Sequence, residues 1–295
     1  MTEFLGVSAA ALFGQLLVGL INGSFYAILS LGLAIIFGLL RIINFSHGAQ
    51  YMLGAFVAWL ALTHLGLGYW AALILAPLAV GLAGLAIERF MLRRLYRFDH
   101  LYGLLLTFGL ALVIEGLFSN FYGVSGNSYP VPEVFAGGTN LGFMVLPNYR
   151  GWVVIASAVL CGFTWFLIER TKFGIYLRAG TENPALVQAF GVNLPRLITL
   201  TYGLGAGLAA FAGVLAAPIF QVSPVMGQNL IIVVFAVVVI GGMGSILGAI
   251  LTGYGLGLIE GLTKVFYPEA SNTVIFVIMA LVLLIKPAGL FGREA

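Results

Sequence analysis

Nine separate apolar stretches run through this chain, and they restrict its fold more than any other feature. They fall near 22–41, 47–64, 69–92, 101–121, 150–168, 197–217, 228–241, 244–263 and 272–286. Most approach the roughly 20 residues that a helix needs to cross a hydrocarbon core. Residues 8–21 are also apolar and either lie at the interface or extend the first span. The 228–241 stretch is short for a full crossing, so eight or nine spans are expected. Composition agrees: 61% of residues are hydrophobic and 8% charged, where a soluble domain carries about 25% charged residues. No soluble fold of 295 residues hides that much apolar surface. The expected fold class is all-α, a polytopic integral membrane protein forming one domain over 1–295.

The remaining composition excludes several functions. A net charge of +3 is too small to point to nucleic acid, and the basic residues sit in loops instead of on a face. The single cysteine, Cys161, rules out an internal disulfide framework and reads as a packing residue. The start, Met-Thr-Glu-Phe-Leu, lacks the basic region of a secretory signal, so the first apolar run is expected to be retained. None of the three lysines follows a glycine, so no Gly-Lys-Ser/Thr phosphate loop exists and the chain is not expected to hydrolyse ATP. No His/Asp/Glu cluster has metal-ligand spacing, and neither metal nor cofactor is expected.

Sidedness follows from the basic residues. Arg89, Arg93, Arg94 and Arg97 share one loop, and Arg170, Lys172, Arg178 and Arg196 another; Lys286 and Arg293 close the chain. With nine crossings these regions and Arg41 fall on one side, leaving Arg150 and Lys264 on the other. The positive-inside rule then places the basic regions and the C-terminus in the cytoplasm and the N-terminus outside. Glycine, 40 residues, recurs within the apolar stretches at small-xxx-small spacing, as at Gly203, Gly207, Gly253, Gly257 and Gly261. Such spacing lets membrane helices approach closely.

Two polar interruptions stand out. The longer, 169–196, holds Glu169, Arg170, Lys172, Arg178, Glu182 and Arg196. Inside it a short helix can be read from its ends: Asn183 as N-cap, Pro184 at the first helical position, and Gly191 as the stop. A helix of about two turns is not stable alone in water, so it is expected to rest on a separate protein. The shorter interruption, Asn44-Phe45-Ser46-His47-Gly48-Ala49-Gln50-Tyr51, lies between two apolar stretches. It reads either as a cytoplasmic turn with Arg41 at the headgroups or as a broken helix lining a pathway. In the second reading Asn44, Ser46, His47, Gln50 and Tyr51 are the candidate translocation path. His47 alone reads as hydrogen-bonded structure before proton relay.

These residues carry a resemblance. Gly19-Leu-Ile-Asn-Gly23-Ser-Phe-Tyr26-Ala27, Gly32-Leu-Ala-Ile-Ile-Phe37-Gly38 and Ile43-Asn44-Phe45-Ser46-His47-Gly48 resemble the opening of branched-chain amino acid ABC importer permeases, whose last motif usually has alanine where Ser46 stands. The resemblance continues through Arg178-Ala179, Glu182-Asn183-Pro184-Ala185 and Gly191-Val-Asn193. It returns at Gly241-Gly242-Met-Gly244-Ser245 and ends at Lys286-Pro287 to Gly292. It is greatest to the smaller, Liv-type H subunit. It implies a pore shared with a second homologous permease, two cytoplasmic ATP-binding subunits, and a periplasmic amino-acid-binding protein. It also implies that the 183–191 helix, with Arg178, Glu182, Asn183, Pro184, Ala185 and Gly191, is the coupling element to the ATPase, although the Glu-Ala-Ala-x-x-x-Gly pattern of other importers is not reproduced literally.

The expected function is therefore that of a non-enzymatic permease subunit in the inner membrane, moving branched-chain or other hydrophobic amino acids. A relative carrying urea, amides or another small solute would share these motifs. A self-powered carrier or channel would need an ion-coupling site, and only scattered carboxylates are present. Among those, Glu115 and Glu260 lie inside spans and are expected to reach the outer interface or pair with Arg150 or Lys264 before contacting substrate. The outer loop 122–149 is the expected docking surface for the binding protein.

Overall fold

The protein is described here by a computed structural model, which covers residues 3–4, 7–40 and 43–292. Arg41 and Arg293 lie outside the described residues. Helix α1 (Ala9–Leu40) runs unbroken for 32 residues, about 48 Å at 1.5 Å per residue. Residues 9–21 thus continue the first apolar stretch in the same unbroken helix. Every residue from Gly23 to Ile36 is buried, as expected of a helix that is apolar on all sides.

Ten further α-helices follow among the described residues. They are α2 (Ser46–Leu65), α3 (Tyr69–Phe90), α4 (His100–Tyr122), α5 (Asn148–Arg170), α6 (Lys172–Glu182), α7 (Pro184–Ala189), α8 (Leu194–Ala216), α9 (Gln228–Gly241), α10 (Ile246–Phe266) and α11 (Val274–Ile285). Two small antiparallel hairpins complete the described structure, β1 (Glu3–Phe4) with β2 (Val7–Ser8) and β3 (Gly138–Asn140) with β4 (Val145–Pro147). Six segments, corresponding to α1, α3, α4, α5, α8 and α10, are long and apolar enough to cross a membrane. α9 and α11 have 14 and 12 residues, about 21 and 18 Å, less than a hydrocarbon core of about 30 Å.

Close approach of backbones sets the centre. A Cβ on Gly19 would fall 3.1 Å from Gly261 Cα, and one on Gly23 would fall 3.1 Å from Tyr254 Cα. α1 and α10 can touch along this seam because neither presents a side chain there. α8 lies against α1, α2 and α3, and α9 fills the gap between α10 and α11.

The two ends of the helices differ in charge. At one end Leu92, just beyond α3, packs with Ile36 of α1 and Tyr202 of α8. Residues 286–292 return to the same end, where Leu290 N donates to Ile240 O and Phe291 N to Gly241 O. This end gathers the 89–97 loop, the 170–196 loop and Lys286. At the opposite end the Tyr149 hydroxyl donates to Leu215 O, and Trp152 Nε1 donates to the Tyr69 hydroxyl. Arg150 and Lys264 lie there. The connection 123–147 at that end carries the β3–β4 hairpin and is pinned to Val222 by paired Asn127 backbone bonds.

Candidate functional site

The chain breaks between α1 and α2, and polar side chains fill the break. Asn44, Ser46, His47, Gln50 and Tyr51 are all buried. Ser46 Oγ donates to Asn44 Oδ1 at 2.6 Å and lies 3.2 Å from the Tyr202 hydroxyl, to which Gln50 Nε2 donates at 3.3 Å. His47 Nε2 sits 3.0 Å from Leu29 O of α1. Thr107 of α4 closes the turn, receiving Phe45 N and donating to Ile43 O. Asn44, Ser46 and Gln50 therefore point to α8, His47 points back to α1, and Tyr51 faces the other way, into a cleft. Asn44 Nδ2, His47 Nδ1 and Gln50 Oε1 have no hydrogen-bond partner although buried. Buried polar groups are ordinarily satisfied, so this network has unused capacity.

That cleft, about 640 Å³, is walled by α1, α2, α9, α10 and α11. Phe220, Met226, Leu230, Val233, Ile275 and Phe276 supply apolar surface; Tyr26, Asn229, Glu260, Ser271 and Asn272 supply polar groups. A smaller annex of about 220 Å³ adds Asn22. Glu260 is the charged group of the wall. Its Oε2 accepts from the Tyr26 hydroxyl at 2.7 Å, and its Oε1 accepts from Asn22 Nδ2 and from Lys264 Nζ. The expected Glu260–Lys264 pairing is thus present, and the same carboxylate also faces the cleft.

The connection between α8 and α9 forms part of the cleft wall. Between α8 and α9 the chain turns through 217–227 before α9 begins beside the first break, with Gly227 against Gly48. α9 enters partway along the bundle, which accounts for its shortness and brings Met226, Asn229 and Leu230 to the cleft wall. The short apolar run 228–241 was the available sign of this break. Glu115 has neither expected partner: its Oε2 accepts from Gln228 Nε2 at 2.8 Å, at the start of α9. α9 begins deep enough for Gln228 to meet a carboxylate inside α4.

At the basic end, the 169–196 interruption is two helices and not one loop. α6 packs on α5, with Arg178 Nη1 donating to Glu169 Oε2 at 2.8 Å and to Ile168 O at 3.2 Å. Glu182 ends α6. Asn183 Oδ1 then accepts from Leu186 N at 3.0 Å, Pro184 opens α7, and Gly191 has φ +84°. Ala185, Leu186, Gln188 and Ala189 are exposed, as is Phe190 beyond the helix, and only Val187 of α7 is buried. Leu186 is 53% and Phe190 80% exposed. These two side chains form an exposed apolar patch at and just beyond a short helix at this end.

The sequence profile of the family described as branched-chain amino acid transport system / permease component matches residues 15–283. The chain belongs to this family. It is 33% identical to the high-affinity branched-chain amino acid transport system permease protein BraD of Pseudomonas aeruginosa over 95% of both chains. It is 29% identical to LivH of Escherichia coli K12, again over 95% of both. LivM of the same organism is 28% identical over 90% of this chain and 67% of its own. No solved structure matches the chain.

The permease is thus a multi-pass membrane protein, and its family motifs fall at the two breaks and at the basic end. Ser46, where the family usually has alanine, contributes the hydroxyl that joins Asn44, Gln50 and Tyr202. Glu88 escaped the sequence reading because it sits at the edge of an apolar run beside arginines. It is fully buried, receiving the Tyr96 hydroxyl at 2.8 Å and the Thr199 hydroxyl. Burial first, then the Glu88 carboxylate, hold the Tyr96 phenol well above its ordinary pKa. Glu88 ties α3 and the 91–99 loop to the base of α8, just after α7.

Proposed function

We propose that this permease is one half of the translocation path of an ABC importer for apolar α-amino acids. The observation that carries the proposal is the cleft beside the point where α2 and α9 begin, apolar-walled around the Glu260 carboxylate. Glu260 and the Tyr26 hydroxyl receive the substrate ammonium, the first turn of α9 lies where a carboxylate is favoured by the helix dipole, and the aliphatic wall takes the side chain. Asn44, Ser46, His47, Gln50 and Tyr51 form the remainder of the path: Tyr51 at the cleft, the others a network that rearranges as it opens. The similarity to both BraD and LivM supports a second, homologous permease completing the pore.

In this reading the chain is a single domain in the inner membrane, and of the eight or nine crossings expected it is nine that sets the termini on opposite sides. The basic end is cytoplasmic, since positive residues concentrate there, as is the C-terminus; the N-terminus is outside. α7, with Arg178, Glu182, Asn183, Pro184, Ala185 and Gly191 shaping it, docks on an ATPase subunit, two of which supply the energy. The 123–147 connection receives a soluble amino-acid-binding protein. The chain performs no covalent chemistry. Co-purification from native membranes tests the assembly, and competition of labelled leucine uptake by valine and by urea tests the substrate. A lone chain that transports in proteoliposomes without ATP overturns the importer reading; strong urea transport without leucine transport overturns the substrate.

A further inference from the structure

Two grooves on the flank of α3 and α8 run into one another. The first, about 400 Å³, is bordered by Pro77, Gly207 and Phe211; the second, about 460 Å³, by Arg89, Phe90, Arg93 and Arg196. Leu82, Leu85 and Leu200 line both. The joint slot runs along the spans and ends in three arginines from two different helical regions. Its floor is the seam of α3 and α8, where Gly81, Gly203 and Gly207 let the two backbones approach closely. Leu82 and Leu200 are 64% and 55% exposed, apolar surface that an acyl chain can cover.

The arginines are exposed and take no part in the ion pairs formed among the described residues, which are Arg178–Glu169 and Lys264–Glu260. The nearest carboxylate in sequence, Glu88, is turned inward to Tyr96 and Thr199. Sidedness alone accounts for arginines at this end. It does not account for their convergence at the mouth of an apolar slot, because Arg94 and Arg97 on the same connection do not line it.

We propose that this slot binds one anionic phospholipid, with an acyl chain along Leu82, Leu85 and Leu200 and the headgroup phosphate on Arg89, Arg93 and Arg196. Planar guanidinium groups match phosphate oxygens in charge and geometry, and basic pockets between spans are the usual seats of acidic headgroups. The lipid braces the base of α8 against α3, immediately after α7. The inference rests on membrane residence and not on the substrate or on docking of α7.

The test uses the whole purified transporter in nanodiscs of phosphatidylcholine with graded phosphatidylglycerol. Retained lipid is read by native mass spectrometry, and contact by a photoactivatable phosphatidylglycerol. Wild type should retain one phosphatidylglycerol in preference to phosphatidylcholine and label within 82–93 or 196–208. Neutralising all three arginines to glutamine should weaken retention roughly a hundredfold, the effect of three basic residues beside an acidic headgroup. Ala86→Trp, which fills the slot without touching a charge, should abolish labelling there. Arg94→Gln with Arg97→Gln, in whatever protein inserts, should leave phosphatidylglycerol retention and the labelled positions unchanged. Equal retention of both lipids, labelling elsewhere, full displacement by inorganic phosphate, or unchanged retention in Ala86→Trp would each overturn the proposal. If the triple variant fails to assemble, wild-type labelling and Ala86→Trp still decide it.

Discussion

Gly48, near the start of α2, meets Gly227, just before α9, so closely that a Cβ on Gly48 would come 2.8 Å from the Gly227 carbonyl oxygen. The two interruptions of the bundle are joined at this point, and neither residue has a positive φ to require glycine. Space alone demands it. Gly48→Ala and Gly227→Ala should each destabilise the purified complex by about 1–3 kcal/mol through overpacking and lower uptake. Gly109→Ala and Gly116→Ala, whose added Cβ would meet nothing within 4 Å, should leave both unchanged. Thermal unfolding of the solubilised complex, with uptake at matched expression, checks the contrast.

Glu260 supports a second prediction. Its carboxylate holds Tyr26, Asn22 and Lys264 at the wall of the cleft. Glu260→Gln keeps the shape but removes the charge available to a substrate ammonium, so uptake should fall tenfold or more while assembly persists. Tyr26→Phe should cost less, because it deletes one hydroxyl and leaves the carboxylate. If the carboxylate serves only Lys264, the Glu260→Gln, Lys264→Met double variant will recover uptake. If it serves substrate, the double variant will stay inactive.

The local chemistry of this chain was legible where one residue decides one geometry. Asn183, Pro184 and Gly191 announce α7 because capping, a fixed φ and a positive φ are properties of single residues. The pairing of Glu260 with Lys264 follows from helical spacing of four. Other features depend on which helices meet. Nothing around Tyr202 says that it collects Ser46 and Gln50, and nothing around Gln228 says that it answers Glu115, because those distances are set by the depth at which α9 begins. α6 was hidden for a different reason: its charged residues read as loop, yet Gly174 lies so close to the end of α5 that an added Cβ would clash with the Ile168 backbone.

Water access should divide the first interruption. In a background with buried Cys161 replaced, Tyr51→Cys and Asn229→Cys should react with a membrane-impermeant thiol reagent from outside, because both positions line the cleft. Asn44→Cys and Gln50→Cys should stay unreactive at rest, enclosed with Tyr202. They should become reactive when ATP and the loaded binding protein drive the cycle. Permanent protection of Asn44→Cys and Gln50→Cys, with uptake intact in both, would make the network packing and not path.

The last prediction concerns α7. Gly191 adopts φ +84° with open space around its Cβ position, so the cost of Gly191→Val comes chiefly from the left-handed backbone, about 1–2 kcal/mol. Ala185→Asp acts differently. It adds a negative charge in the first turn, where the helix dipole favours it, and so should keep α7 folded while changing the exposed surface beside Leu186. Both variants should insert normally, since α7 projects from the spans at the basic end. Gly191→Val should release or misdirect the ATPase by changing the exit from the helix. Ala185→Asp should weaken ATPase retention or give ATP hydrolysis without import, and Leu186→Asp should do so more severely because it removes a half-exposed apolar contact. Arg94→Gln, in the other basic connection, should change expression or orientation more than coupling. The decisive measurement is the ratio of ATP hydrolysed to amino acid imported in proteoliposomes holding the full complex. Wild-type ratios and rates in both Ala185→Asp and Gly191→Val would remove α7 as the coupling element and leave the buried Glu88 clamp at the base of α8 as the next place to look.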